Sequence, residues 1–320
     1  MDRDPTWRTC NDESTGVETM TIWMRIVWIV VLPIIALLIS VFFMGLSRKV
    51  IARVQRRYGP PIYQPVIDLV KLFTQHSNIS HGMIFDMGLI IALAGSLVTL
   101  LFIPVGGIHP LSSSGDLLVL IYLMLISPIG VALSAGASGN PNASIGISRK
   151  LTLALGYEVP FLLVLLTVMT QSGTTSLVSF VQGQSTSILS WGLFRFPLSA
   201  IAMFLILPVM LGIRPFDIAG APQEIASGPQ VEFGGKYLAL ASIEHGLHLF
   251  IVIALFVDLF LGGAANLGTF FLKMLLVFLI GVFIGAVYPR FRIDQALKYC
   301  WKWPTLFALL GLILVMIIGS

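Results

Sequence analysis

Apolar residues in this chain gather into long runs separated by short polar stretches, with little of the alternation that marks a half-buried strand. A helix that crosses a bilayer needs roughly 20 mostly apolar residues. Eight runs come near that length: 22–46, 83–104, 116–137, 147–170, 194–213, 237–260, 267–288 and 303–319. The pattern predicts an all-α integral membrane protein of about eight transmembrane helices, a short amphipathic helix and a partly buried cytoplasmic acidic loop.

The loops alternate in charge. Those at 47–82, 138–150, 214–236 and 289–302 hold 6, 2, 2 and 4 Lys/Arg, together 14 of the 19 in the chain. The loops at 105–115, 171–193 and 261–266 hold none. Positive residues favour the cytoplasmic side, so eight crossings put both termini outside. Residues 1–21 are polar and carry five of the fifteen acids, without the basic start and cleavage pattern of a signal peptide. They read as a solvated tail ahead of a single transmembrane domain over 22–320, with Met20 as an alternative start.

Composition agrees with the pattern. Hydrophobic residues make up 57% and charged residues 11% of the chain, whereas a soluble domain carries about 25% charged residues. The only cysteines, Cys10 and Cys300, cannot form a CxxC site or ligate an iron–sulfur cluster alone. No cofactor is expected on this chain; any redox centre it serves belongs to a partner. The bilayer is the expected surroundings and nucleic acid is not an expected partner.

The unusual segments fall on the basic side. Arg48, Lys49, Arg53, Arg56 and Arg57 form a dense positive group that suits lipid headgroups or an acidic partner. A helix-like stretch from Pro61 to Gln75 follows, with Gln64, Asp68, Lys71 and Gln75 as one polar stripe on an apolar cylinder. Its apolar circumference predicts an embedded helix whose stripe faces a polar cavity.

Buried charge is the other signal. The sixth run holds Glu244, His245, His248 and Asp258, and the fourth holds Glu158. A charge near the bilayer centre costs at least ~2.5–3.5 kcal/mol on insertion scales, so these acids must face protein or water, or stay protonated. Glu244 and His248, four apart, can touch on one helix face. A polar cluster between helices would explain them structurally; a proton or ion relay is the favoured reading, because intramembrane carboxylates mostly mark such paths. Between runs lies RPFDIAGAPQEIASGPQVEFGGKY, residues 214–237, where glycines and prolines forbid one long helix. Such backbone is tolerated at membrane depth only where protein or water surrounds it. The segment is expected to fold inward and place Asp217, Glu224 and Glu232 near a cavity mouth.

Four stretches resemble the heel subunit of respiratory complex I (often called subunit 1) in that family's order. They are RK…Q.R.GP…QP..D..KLF from Arg48 to Phe73, GYEV from Gly156 to Val159, RPFD…E…G…EF.G from Arg214 to Gly235, and YPRFRIDQ from Tyr288 to Gln295. The resemblance implies a non-catalytic membrane subunit that anchors a cluster-bearing peripheral arm and starts a chain of buried charges toward antiporter-like subunits. Carried over by position, Glu158, Glu224, Glu232 and Glu244 would line an ion path, to which the reading of the residues themselves adds Asp217, His248 and Asp258. By the same likeness Arg48, Arg57 and the Tyr288–Gln295 stretch, with Arg290, Arg292 and Asp294, would lie at the cytoplasmic face; Arg53, Arg56, Gln64, Asp68, Lys71 and Arg214 are expected beside them, lining the cavity or the docking face. The family usually reads PFDLPEAE where this chain reads PFDIAGAP, and Ser47 replaces the usual glutamate before RK. In this the chain looks more like subunit M of the archaeal membrane-bound nickel–iron hydrogenases, which implies iron–sulfur clusters and a nickel–iron centre in partner subunits, including a hydrogenase-like large subunit. A related sulfur-reducing complex, a quinone-reducing complex I and a free-standing secondary transporter are the alternatives; no convincing inverted repeat supports the last.

Overall fold

The computed structural model describes residues 22–76, 81–111, 115–185 and 187–318; the tail expected over 1–21 lies outside them. Twelve α-helices are described: α1 (Ile22–Val54), α2 (Gln64–Thr74), α3 (Met83–Phe102), α4 (Asp116–Ala137), α5 (Pro141–Ser172), α6 (Leu177–Gln184), α7 (Gly192–Arg195), α8 (Pro197–Met210), α9 (Pro222–Ile225), α10 (Lys236–Phe260), α11 (Leu267–Val287) and α12 (Ile293–Ile318). Among the described residues the only β-pairing is an isolated bridge between Val105 and Ile108.

Seven helices, α1, α3, α4, α5, α10, α11 and α12, are long and apolar enough to cross a bilayer. The eighth expected run is broken. Pro197 drives Phe196 out of the helical region (φ −130°, ψ 63°), which separates α7 from α8. The 14 residues of α8 reach only about 21 Å, short of a hydrocarbon core of ~30 Å. The whole segment still traverses the molecule. A Cβ on Gly192 would collide with the backbone of Leu259 at the C-terminal end of α10, while Ile213 and Arg214 press on Gly285 near the C-terminal end of α11. Because α10 and α11 run in opposite directions around a short turn, residues 192–214 span the depth between their two far ends.

Helix ends also differ from the expected ones for local reasons. α1 continues to Val54 and takes Arg48, Lys49 and Arg53 out of the expected loop into its last turns. α5 starts at Pro141 because Asn140 caps it, accepting a hydrogen bond from the Asn142 N–H. It ends at Gly173, which is left-handed at φ 62°.

α10 is the central post. Every residue from Leu249 to Phe260 is buried, so this half of the helix touches protein on all sides. α3 and α4 approach closely: a Cβ on Gly130 would sit 2.5 Å from the Ala92 nitrogen and 2.7 Å from the Gly88 oxygen. Small residues let the two backbones meet, as helix packing in lipid requires. Leu272, Leu276 and Phe283 on α11 remain exposed, as a lipid-facing surface would.

Candidate functional site: a polar cavity beside the tenth helix

The inner half of α10 borders a cavity of about 330 Å³. α4 contributes Pro128 and Val131, and α5 contributes Lys150, Leu153 and Tyr157. Val209 and Met210 come from the end of α8, and the acidic loop contributes Asp217 to Gly220 together with Ser227, Pro229, Gln230 and Phe233. α10 adds Glu244, His245 and His248. One partly open space thus brings together two carboxylates, two imidazoles, an ammonium and a phenol. A second cavity of about 170 Å³ shares Leu211, Gly212 and His245 with the first and reaches Ser47 and Arg48 on α1.

Glu244 is the most enclosed acid of this group, 5% exposed. Its carboxylate accepts a hydrogen bond from the Ser127 hydroxyl on α4. The neighbouring Pro128 has no N–H to give its own helix. Glu244 and His248, which their spacing allows to touch, share no hydrogen bond or ion pair among the described residues; the carboxylate turns to Ser127. Facing groups that exchange hydrogen bonds can relay protons or hold a cation's counter-charge. Among the described residues, no group of three or more His, Cys, Asp or Glu side chains is placed to hold a metal ion.

The acidic loop folds inward as expected and is clasped from outside. Asp217 lines the cavity and accepts from Arg290 at 3.2 Å. The same guanidinium stands 3.8 Å from Glu224, which also pairs with Arg149 at 3.0 Å. Glu232 accepts from the Asn140 amide at 2.6 Å and lies 3.4 Å from His81. Between these anchors Ala226, Ser227 and Gly228 are consecutively left-handed, with φ 48°, 76° and 55°. Two non-glycine residues in that region persist only when surroundings fix them. Here Gly228 and Pro229 lie so close to α5 that a Cβ on Gly146 would come within 2.6 Å of the Pro229 ring.

Of the seven residues expected along an ion path, Asp217, Glu244 and His248 line this cavity. Glu224 and Glu232 surround it and do not line it. Glu158, half-buried, follows Tyr157 on α5, about 100° round the helix, and does not line the cavity that Tyr157 lines. Asp258 is completely buried at the other end of α10. Arg53, Arg56, Arg57, Arg214, Arg292 and Asp294 are all exposed.

The short helix α2 packs on α1 by one side. α2 buries Pro65 and half-buries Leu69 and Leu72, but Val66, Ile67, Val70, Phe73 and Lys71 are exposed. Its stripe meets α1 beside a small cavity of about 30 Å³ that Asp68, Arg48 and Ser242 border: Asp68 accepts from Arg48 at 2.9 Å and from Gln64 at 3.0 Å. The Gln64 amide, with Arg48 next, holds the Asp68 carboxyl below its ordinary range.

Ser127, Arg149, Lys150 and Tyr157 were not singled out by sequence reasoning. A lone serine in an apolar run carries no signal, and Arg149–Lys150 reads as ordinary positive-inside charge. His245 was noted beside Glu244, yet nothing marked it as the residue shared by both cavities.

Residues 26–316 match the family described as NADH dehydrogenase. The chain is 33% identical over 235 residues to hydrogenase-4 component C of Escherichia coli (strain K12), covering 71% of this chain and 73% of that protein. It is 28% identical over 315 residues to a subunit of the F(420)H(2) dehydrogenase of Methanosarcina acetivorans, covering 86% and 90%. A chain of the membrane-bound sulfane sulfur reductase, an archaeal respiratory membrane complex, superposes with a TM-score of 0.87 at 42% identity, covering 91% of this chain and 99% of that one.

Proposed function

The chain belongs to the NADH dehydrogenase family, and from that premise we propose that it couples electron transfer in a respiratory membrane complex to ion movement. The observation that carries this reading is the polar cavity beside the N-terminal half of α10. Its Asp217, Glu244, His245, His248 and Lys150 offer proton-exchanging groups, and a loop clasped at the surface forms its wall. An arm docked on that face can act on the cavity by moving the clasp. Iron–sulfur clusters and the substrate-reducing centre then lie in partner chains, with antiporter-like subunits alongside in the membrane.

Topology follows the same reading. The broken α7–α8 segment supplies the eighth crossing, which keeps the basic loops on one side and puts both termini outside. Arg53 in the last turn of α1, with Arg56 and Arg57 just beyond it, all exposed, form the docking face for the arm or for headgroups.

For the electron acceptor, hydrogen evolution from ferredoxin is the first reading, supported by the likeness to hydrogenase-4 component C. Sulfane sulfur reduction is the second, supported by 42% identity across 91% of the chain. The purified complex separates them: reduced ferredoxin should yield hydrogen with nickel present, or sulfide when polysulfide is supplied. A chain that purifies alone, without cluster-bearing partners, would refute the coupling role.

A further inference from the structure

A second charged group sits at the end of α10 remote from the cavity. Asp258 is 0% exposed, and neither carboxylate oxygen has a hydrogen-bond partner. Lys273, on α11, is the cation whose field reaches it, but it does not bond to it. Its Nζ donates instead to the carbonyl oxygens of Leu261 and Gly263, both at 2.6 Å, and lies 4.4 Å from the centroid of the Trp191 ring.

The backbone explains why these oxygens are available. The last carbonyls of a helix have no partner within it and carry the negative end of its dipole. After α10, the N–H groups of Leu261 and Gly263 both return to the Val257 carbonyl, at 2.9 and 3.2 Å. Gly262 and Gly263 are left-handed at φ 70° and 52°. The turn is also packed tightly: a Cβ on Gly262 would come 2.6 Å from Trp191 Cδ1, and one on Gly263 would come 3.2 Å from Asp258 Oδ1. Gln184 fixes the arrangement, donating to the Asp258 carbonyl at 3.1 Å and accepting from the Gly192 N–H at 2.8 Å.

Helix-end carbonyls, a carboxylate and an indole face are the donors that a small monovalent cation or an ammonium accepts. A buried carboxylate with no donor at all is costly. We propose that Asp258, the Leu261 and Gly263 carbonyls and Trp191 form a seat for a monovalent metal cation such as sodium, which Lys273 fills as a tethered substitute. A free cation enters when the Lys273 ammonium swings out, and Asp258 supplies the compensating charge. This rests on the chain being a coupling subunit. Equilibrium binding needs no turnover, so it can fail while the hydrogen and sulfide assays succeed.

The test measures radioactive sodium bound to the intact complex at equilibrium. Lys273→Met should gain one saturable equivalent over the parent, and Asp258→Asn/Lys273→Met should lose it. If Lys273→Met does not assemble, Lys273→Gln replaces it with the same readout. No gain over the parent, or a gain that persists in the double variant, overturns the proposal. So does a double variant that assembles where both single variants do not, because that result describes a structural charge pair.

Discussion

Replacing Arg290 with Met tests the clasp that holds the acidic loop. Arg290 is 17% exposed and bonds Asp217 at 3.2 Å, itself 35% exposed. A hydrogen bond to a charged group contributes about 1.5–3 kcal/mol. Water reaches part of Asp217 and screens it, and the Nε of Arg290 is buried without an acceptor. The contact to Glu224 adds little, because Glu224 is 54% exposed and retains Arg149 at 3.0 Å. The net loss is therefore about 1–2 kcal/mol, a factor of roughly 5–30 in the opening equilibrium of the loop. Hydrogen–deuterium exchange on the intact complex reads this directly: amides from 217 to 233 should exchange faster by that factor, with the buried half of α10 unchanged. Assembly should survive, since Phe216 remains packed on Tyr299 at 5.1 Å and the Phe291 N–H still donates to the Pro215 carbonyl at 2.9 Å. Asp217→Asn should account for most of the effect, and the two changes should be non-additive. Exchange within twofold of the parent in Arg290→Met would refute the clasp.

Three further outcomes are expected. In vesicles, Glu244→Gln and Glu224→Gln should leave the arm attached but lower ion uptake per turnover, sharply at Glu244; Ser127→Ala should lie between Glu244→Gln and the parent, and normal ratios in all three would remove these residues from the path. Asp68 is held below its ordinary range by Gln64 and Arg48, so its contribution to docking α2 is present above the unfolded value near 3.8 and is lost as pH falls below it. A probe on Phe73→Cys should report release of α2 only in acid, and Gln64→Ala should move the onset to higher pH. Gly130→Leu should prevent assembly, since the added side chain meets the Ala92 backbone at 2.5 Å; a folded complex with unchanged thermal stability would contradict the close α3–α4 approach.

Fold class was legible because long apolar runs admit few alternatives in lipid, and the buried acids stood out because each is costly there. What the runs concealed was continuity. Residues 194–213 look like one helix, and only the Phe196–Pro197 step, a local steric matter, divides them. The site was legible where an acid lay in an apolar run, as at Glu244, or in a glycine-rich loop, as at Asp217. Ser127 and Tyr157 could not be found this way. Their role comes from which helix faces α10, a tertiary fact that no spacing within α4 or α5 records. Glu158 marks a limit of another kind: a step of one residue turns it about 100° from Tyr157, so that Tyr157 lines the cavity and Glu158 does not.

That displacement bears on how charge could leave the cavity. On α10 the stretch from Leu249 to Val257, LFIVIALFV, is wholly apolar and buried, so about 15 Å of helix separates His248 from Asp258 with no polar side chain of α10 between them. Hopping along α10 is therefore not available to a proton. Direct electrostatics is weak as well. Glu244 and Asp258 are about 21 Å apart along the axis, which at an effective dielectric constant of about 20 gives ~0.8 kcal/mol. Moving a two-state equilibrium from mostly one state to mostly the other takes about 5.5 kcal/mol. Any coupling between the two ends of α10 therefore requires movement of packed elements or groups outside this helix. If charge takes the second route, Glu158, half-buried and the one acid of α5, next to cavity-lining Tyr157, is the residue to test: Glu158→Gln should then lower ion uptake per turnover, and an unchanged ratio would remove it from the route.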